Sequence, residues 1–130
     1  MNRQVWERMG GLDEGVLAAQ DLEFSLRCWL KGIEIVGLPE AIVHYRYRRS
    51  VHDLWQQGFA YGSNRPRLAR MLVTAGKPRP PRFAGWKAWA LLLLRLPRLV
   101  TPEGRAAWVW IAANRSGQVV GSIRERTLMI

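Results

Sequence analysis

Residues Ile33 to Arg48 read "IEIVGLPEAIVHYRYR", and whether this stretch pairs as strands decides between a mixed fold and a helical one. In "IEIVG" the residues Ile33, Ile35 and Gly37 alternate with Glu34 and Val36, which is a short strand pattern. Leu38-Pro39-Glu40 makes a turn. Beyond it "AIVHYRYRR" is β-branched and then alternating, with His44, Arg46 and Arg48 on one face and Tyr45 and Tyr47 on the other. The reading is a two-strand element that presents three potential cations together.

Upstream, apolar residues Leu22, Leu26, Trp29, Leu30 and Ile33 recur at helical spacing behind Asp21. A helix from about Leu22 to Lys31 follows, with Gly32 as its cap. A shorter helix over Gln4 to Arg8 is stopped by Gly10-Gly11, and Leu12 to Gly15 forms an acidic loop. Glu23 and Arg27, four apart, read as a surface ion pair.

Downstream, Ser50 and Asp53 open a helix through Leu54, Trp55, Phe59 and Tyr61, which Gly58 and Gly62 weaken, and a second helical stretch runs through Leu68 and Met71. "GKPRPPRFAG", Gly76 to Gly85, is a linker by its proline content. Two apolar stretches edged by arginine follow, "GWKAWALLLLRLPRLV" and "RAAWVWIAANRSG". Between them Thr101 is an N-cap and Pro102 the first helical residue, so a helical hairpin is the simplest reading.

The 130 residues, 48% of them hydrophobic, suffice for a small core. Cys28 stands alone, which excludes an internal disulfide and any cysteine-based zinc cluster; a buried thiol is its role. Residues 1 to 64 carry 7 basic and 8 acidic side chains, whereas residues 65 to 130 carry 13 and 2. A segment so basic is drawn to phosphate-bearing partners, an anionic membrane surface or nucleic acid. The longest apolar run, Trp89 to Leu94, is far short of the roughly 20 residues that cross a bilayer. No secretory signal follows Met1.

The order of turn, acidic loop, acid at a helix start, strand, Pro-Glu turn and strand ending in histidine resembles the C-terminal, acceptor-side half of family 2 glycosyltransferases, inverting enzymes of the GT-A fold. The resemblance rests on "RQVWERMGGLDEG" and "QDLEFSLRCWLKGIEIVGLPEAIVHYRYR", Arg3 to about Arg48. It implies an α/β fold: part of a nucleotide-diphospho-sugar transferase domain over residues 1–75, the linker over 76–85, and a basic, Trp-rich helical tail over 86–130.

The resemblance also implies sugar transfer from a nucleotide-sugar to a hydroxyl acceptor, with Asp21 as general base. Gly10, Gly11, Asp13, Glu14, Gln20, Arg46 and Arg48 would contact substrate, and His44 would bind a divalent manganese or magnesium ion or the donor diphosphate. Gln20 stands where the family carries an acid, and no Asp-x-Asp motif occurs. The donor-binding half is therefore expected to be missing and the chain alone inactive. Without the resemblance Asp21 reads as a plain helix cap. The expected location is cytoplasmic, peripheral at the inner face of the membrane through the tail. The competing reading is a small basic module without catalysis that binds membrane or nucleic acid; absence of a helix-turn-helix, zinc finger or RNA-recognition sequence argues against nucleic acid.

Overall fold

The computed structural model describes residues 2–16, 18–44, 48, 50–78, 81 and 85–127. The chain forms two compact units, Met1 to Tyr47 and Arg48 to Ile130.

In the first unit α1 spans Arg3–Met9 and α2 spans Gln20–Leu30. Asn2 caps α1 by accepting from the Gln4 N–H at 2.9 Å. Both helices end by the same device. At α1, Gly10 turns left-handed (φ 74°), and its N–H and that of Gly11 donate to the carbonyls of Glu7 and Trp6. At α2, Gly32 (φ 72°) donates to Trp29 and Ile33 donates to Cys28 at 3.0 Å, which folds Ile33 back onto the helix. Met9, Phe24 and Cys28 form the buried cluster, with Val5, Trp6 and Ile33 packed against it.

The strands expected over Ile33 to Arg48 are not found. Among the described residues of this stretch no strand forms; beyond the bond from Ile33 back to Cys28, local turn bonds join the Ala41 N–H to Leu38 and the Ile42 N–H to Glu40. Alternation expresses a preference for extended backbone, but a strand exists only when its N–H and C=O groups meet another strand. An isolated two-stranded ribbon is marginal in water at best. Here Ile35, Val36, Leu38, Ile42 and Val43 are all exposed, so the hairpin would have buried nothing. The α/β expectation is corrected accordingly: the described residues are all-α, and a partial GT-A domain with a two-strand element is not what this chain forms. Tyr45, Arg46 and Tyr47 lie outside the described residues.

The second unit holds α3 (Val51–Thr74), α4 (Trp86–Leu94), a 3-10 turn (Leu96–Val100) and α5 (Pro102–Arg124). Ser50 caps α3 by accepting from the Asp53 N–H, and Thr101 caps α5 by accepting from the Gly104 N–H at 3.1 Å. The helix α3 continues unbroken through Gly58, Gly62 and Pro66, all three buried.

Those small residues are the seam of the unit. A Cβ added to Gly62 would lie 2.8 Å from the carbonyl carbon of Asn114, one on Gly117 2.9 Å from that of Phe59, and one on Gly121 2.8 Å from that of Ser63. The two backbones are in direct contact. Residue numbers rise together along the contact, from Gly58 against Ala113 to Arg70, whose guanidinium is 3.3 Å from Glu125, so α3 and α5 run parallel. The shorter α4 returns antiparallel beside α5, tied by the Trp108 indole N–H to the Leu92 carbonyl at 2.9 Å. The seam is polar as well as small: Asn114, Gln118 and Ser122, spaced four apart on α5, are buried. The Asn114 amide donates to the Gly58 carbonyl at 3.3 Å.

Candidate functional site

Asp21 is the second residue of α2, not its cap; that position belongs to Ala19, whose side chain offers no capping bond. The carboxylate is exposed at the mouth of a groove of about 460 Å³, whose walls include Trp6, Leu12, Phe24, Cys28 and Ile35. Trp6 and Phe24 meet with ring centroids 5.2 Å apart. The groove is mainly apolar, and within it Asp21 and Glu34 carry the acidic groups and Asn2 and Ser25 the neutral polar ones.

Of the other expected site residues, Gly10, Gly11, Asp13 and Gln20 have structural duties. Gly10 and Gly11 end α1, and Gly11 packs so closely on the Trp6 indole that a Cβ would lie 3.1 Å from its ring. Asp13 accepts from the Gly15 N–H at 2.8 Å, and Gln20 donates across to the Asp13 carbonyl at 3.4 Å, closing the loop between α1 and α2. Glu14 is exposed. His44 is exposed outside regular structure, and among the described residues no three His, Cys, Asp or Glu side chains converge as a metal would require. Arg46 lies outside the described residues, and Arg48 is exposed at the start of the second unit.

The Glu23–Arg27 ion pair expected from their spacing forms, but not at the surface. The Glu23 side chain is buried, and Arg27 Nε lies 2.8 Å from its Oε1. The same guanidinium donates to the carbonyls of Met9 and Gly11, each at 2.6 Å, and stacks 5.3 Å from the Phe24 ring centre. One side chain thus fixes the Gly10-Gly11 turn to α2 through three acceptors. No spacing rule exposes a bond to carbonyls 16 and 18 residues away.

In the second unit the notable surface is α4 with the 3-10 turn. Leu92 is buried and Ala88 and Leu91 half-buried toward the unit. On the opposite arc Trp86, Trp89, Leu93 and Leu94 face outward, and Leu96 and Val100 continue the exposed apolar surface. Leu93, Leu94 and Val100 are 70%, 77% and 84% exposed. Exposed Lys87 and Arg98 and half-exposed Arg95 stand among them. A helix apolar on every side is ordinarily enclosed on every side. This one is enclosed on one side only. No helix among the described residues is long and apolar enough to cross a membrane.

No protein-family model, curated protein or solved structure matches this chain. Together with the absence of strands among the described residues, that overturns the resemblance to family 2 glycosyltransferases. With the resemblance goes the reason to make Asp21 the general base of a sugar transfer and to place a divalent cation at His44. What remains at Asp21 is a carboxylate at the edge of an apolar groove.

Proposed function

We propose that the second unit is a membrane-surface binding module, with α4 and the 3-10 turn laid in the interface of an anionic bilayer. The observation that carries this reading is the outward arc of α4, where Trp86, Leu93, Leu94 and the partly exposed Trp89 share the surface with exposed Lys87, and exposed Arg98 follows in the 3-10 turn. Tryptophan rests at the headgroup level, leucine enters the acyl boundary, and lysine and arginine meet lipid phosphate. Charge complementarity favours lipid over an apolar protein partner: the unit carries 15 basic against 3 acidic side chains. Each Lys or Arg held near an anionic surface contributes about 1 kcal/mol, fading within a Debye length.

Cosedimentation with vesicles tests it. Binding is expected to vesicles containing phosphatidylglycerol, to weaken with salt, and to be much poorer with phosphatidylcholine alone. Leu93→Ala with Leu94→Ala removes three carbons from each side chain. At about 0.8 kcal/mol per methylene, discounted for incomplete exposure and immersion, the loss is roughly 3 kcal/mol for the pair, on the order of a hundredfold in partition. Helicity and melting temperature should not change, because both side chains already face water. Failure to bind any vesicle, or binding that ignores the double substitution, refutes the reading. Salt-dependent DNA binding without vesicle binding would replace it with the nucleic-acid reading.

A further inference from the structure

A second cavity, of about 260 Å³, lies in the second unit between α3, α4 and α5. Tyr61 and Arg65 line it from α3, Leu91 from α4, and Trp110, Asn114 and Arg115 from α5. Two arginines and no carboxylate form its described walls. Exposed arginines beside acids need no explanation, but this pair meets where acids are absent. Arg115 is half-buried, and its NH1 donates to the buried Gln118 Oε1 at 2.7 Å, which ties the guanidinium to its own helix rather than leaving it free in solvent. Burial, and then the nearby charge of Arg65, pull the Arg115 pKa below its ordinary value. A half-buried cation that feels a second, exposed one across the same opening favours a bound anion.

The walls also say which kind. Guanidinium groups bind phosphate through paired N–H donors. Tyr61 and Trp110, with ring centroids 6.0 Å apart, add a hydroxyl and an aromatic surface to the same opening. From these residues we infer that the Arg65–Arg115 cavity is a binding site for a phosphate group, carried either by a lipid headgroup or by a small soluble phosphate compound. The site does not depend on the membrane reading, because its donors belong to α3 and α5 and not to the outward arc of α4.

The full chain, labelled with 15N, should be titrated with inorganic phosphate while the arginine Nε–H signals are followed, with sodium chloride at matched ionic strength as control. Phosphate is expected to shift Arg65 and Arg115 in a saturable way that chloride does not reproduce. Arg65→Gln, at an exposed position, and Arg115→Lys, which keeps the charge and loses the fork, should each weaken the response at least tenfold. Shifts that never saturate, that chloride reproduces, or that fall equally on Arg98, Arg124 and Arg126 would overturn the site and leave only a basic surface. Vesicles of phosphatidic acid and of phosphatidylglycerol, matched in surface charge, separate the two sources. Tighter binding to phosphatidic acid, abolished by Arg115→Lys, assigns a lipid headgroup. Equal vesicle binding beside saturable phosphate shifts assigns a soluble phosphate compound. Loss of vesicle binding in the Leu93 and Leu94 variant with the phosphate response intact is expected, and shows that the two surfaces act separately.

Discussion

Replacing Gly117 by alanine should unfasten the second unit. The added Cβ would lie 2.9 Å from the Phe59 carbonyl carbon and 2.9 Å from the Ser63 nitrogen, and closer still to the Phe59 carbonyl oxygen. All three are backbone atoms of α3, so no side chain can swing aside. Carbon atoms rest at about 3.5 to 4 Å, so α3 and α5 must part by roughly 1 Å, a gap that forfeits a quarter to a half of the dispersion attraction across it. Overpacking of this kind costs about 1–3 kcal/mol, and three backbone contacts place this site at the upper end. Alanine's better helix propensity returns about 1 kcal/mol. The net loss is about 2 kcal/mol, which in a unit of this size lowers the melting temperature by roughly 8–16 °C. Circular dichroism at 222 nm during heating reads it directly. Gly58→Ala is the control: its Cβ would lie 3.1 Å from the Ala113 Cβ and 3.2 Å from the Trp110 carbonyl oxygen, contacts that a shift of a few tenths of an ångström relieves, so the cost roughly offsets alanine's gain in propensity and little net change is expected. If Gly117→Ala melts at or above the parent temperature, the two backbones are not in contact and the seam has been misread.

Substitutions at two further positions, Arg27 and Thr101, probe the joints of the fold. Arg27→Ala strips the buried Glu23 carboxylate and the Met9 and Gly11 carbonyls of their donor and should destabilise the first unit by about 3 kcal/mol, measured as faster amide exchange over residues 9–16. Arg27→Lys should restore little of this, since one ammonium lacks the planar fork that reaches three acceptors; full rescue would reduce the contact to simple charge. Thr101→Ala removes the α5 cap and should cost about 1 kcal/mol, or roughly 4–8 °C in melting temperature, and no shift would mean that the bond to Gly104 contributes nothing.

How far the fold was legible depended on the range of the interaction involved. Helix ends are written locally, and Gly10-Gly11, Gly32, Ser50 and Thr101-Pro102 each stand where a helix begins or stops. Strands are not local in this sense. The alternation in Ile33 to Arg48 was read as two strands, but it expresses only a preference for extended backbone; pairing needs a second ribbon and a surface to cover, and neither appears among the described residues. Gly58 and Gly62 were weighed as helix-weakening because propensity looks along one helix. The value of Gly62 lies across the seam, where the Asn114 backbone leaves no room for a Cβ, and outweighs the roughly 1 kcal/mol that the glycine costs its helix; Gly58 meets α5 less tightly. Asp21 was legible as an acid near a helix start, and the groove beside it was not, since Trp6, Phe24 and Ile35 meet only after α1 and α2 pack. Arg65 and Arg115, fifty residues apart, could not have been paired by any motif.

The second unit reverses the usual placement of polarity. Its interior seam is glycine against backbone, with Asn114, Gln118 and Ser122 buried along it, while one arc of the most apolar stretch of the chain, on α4, is turned outward. In water the seam of a helix pair is ordinarily the apolar part, because the hydrophobic effect has nothing else to act upon. Small residues at close backbone approach and buried amides across helices are the packing habits of helices in lipid, where apolar surface gains nothing by being hidden. Yet α4 has only nine residues, about 13 Å of helix, under half the thickness of a hydrocarbon core. A helix of that length can lie along a bilayer but not through it. The polar seam, the outward leucines and tryptophans and the surplus of arginine are mutually consistent when the bilayer surface itself covers α4.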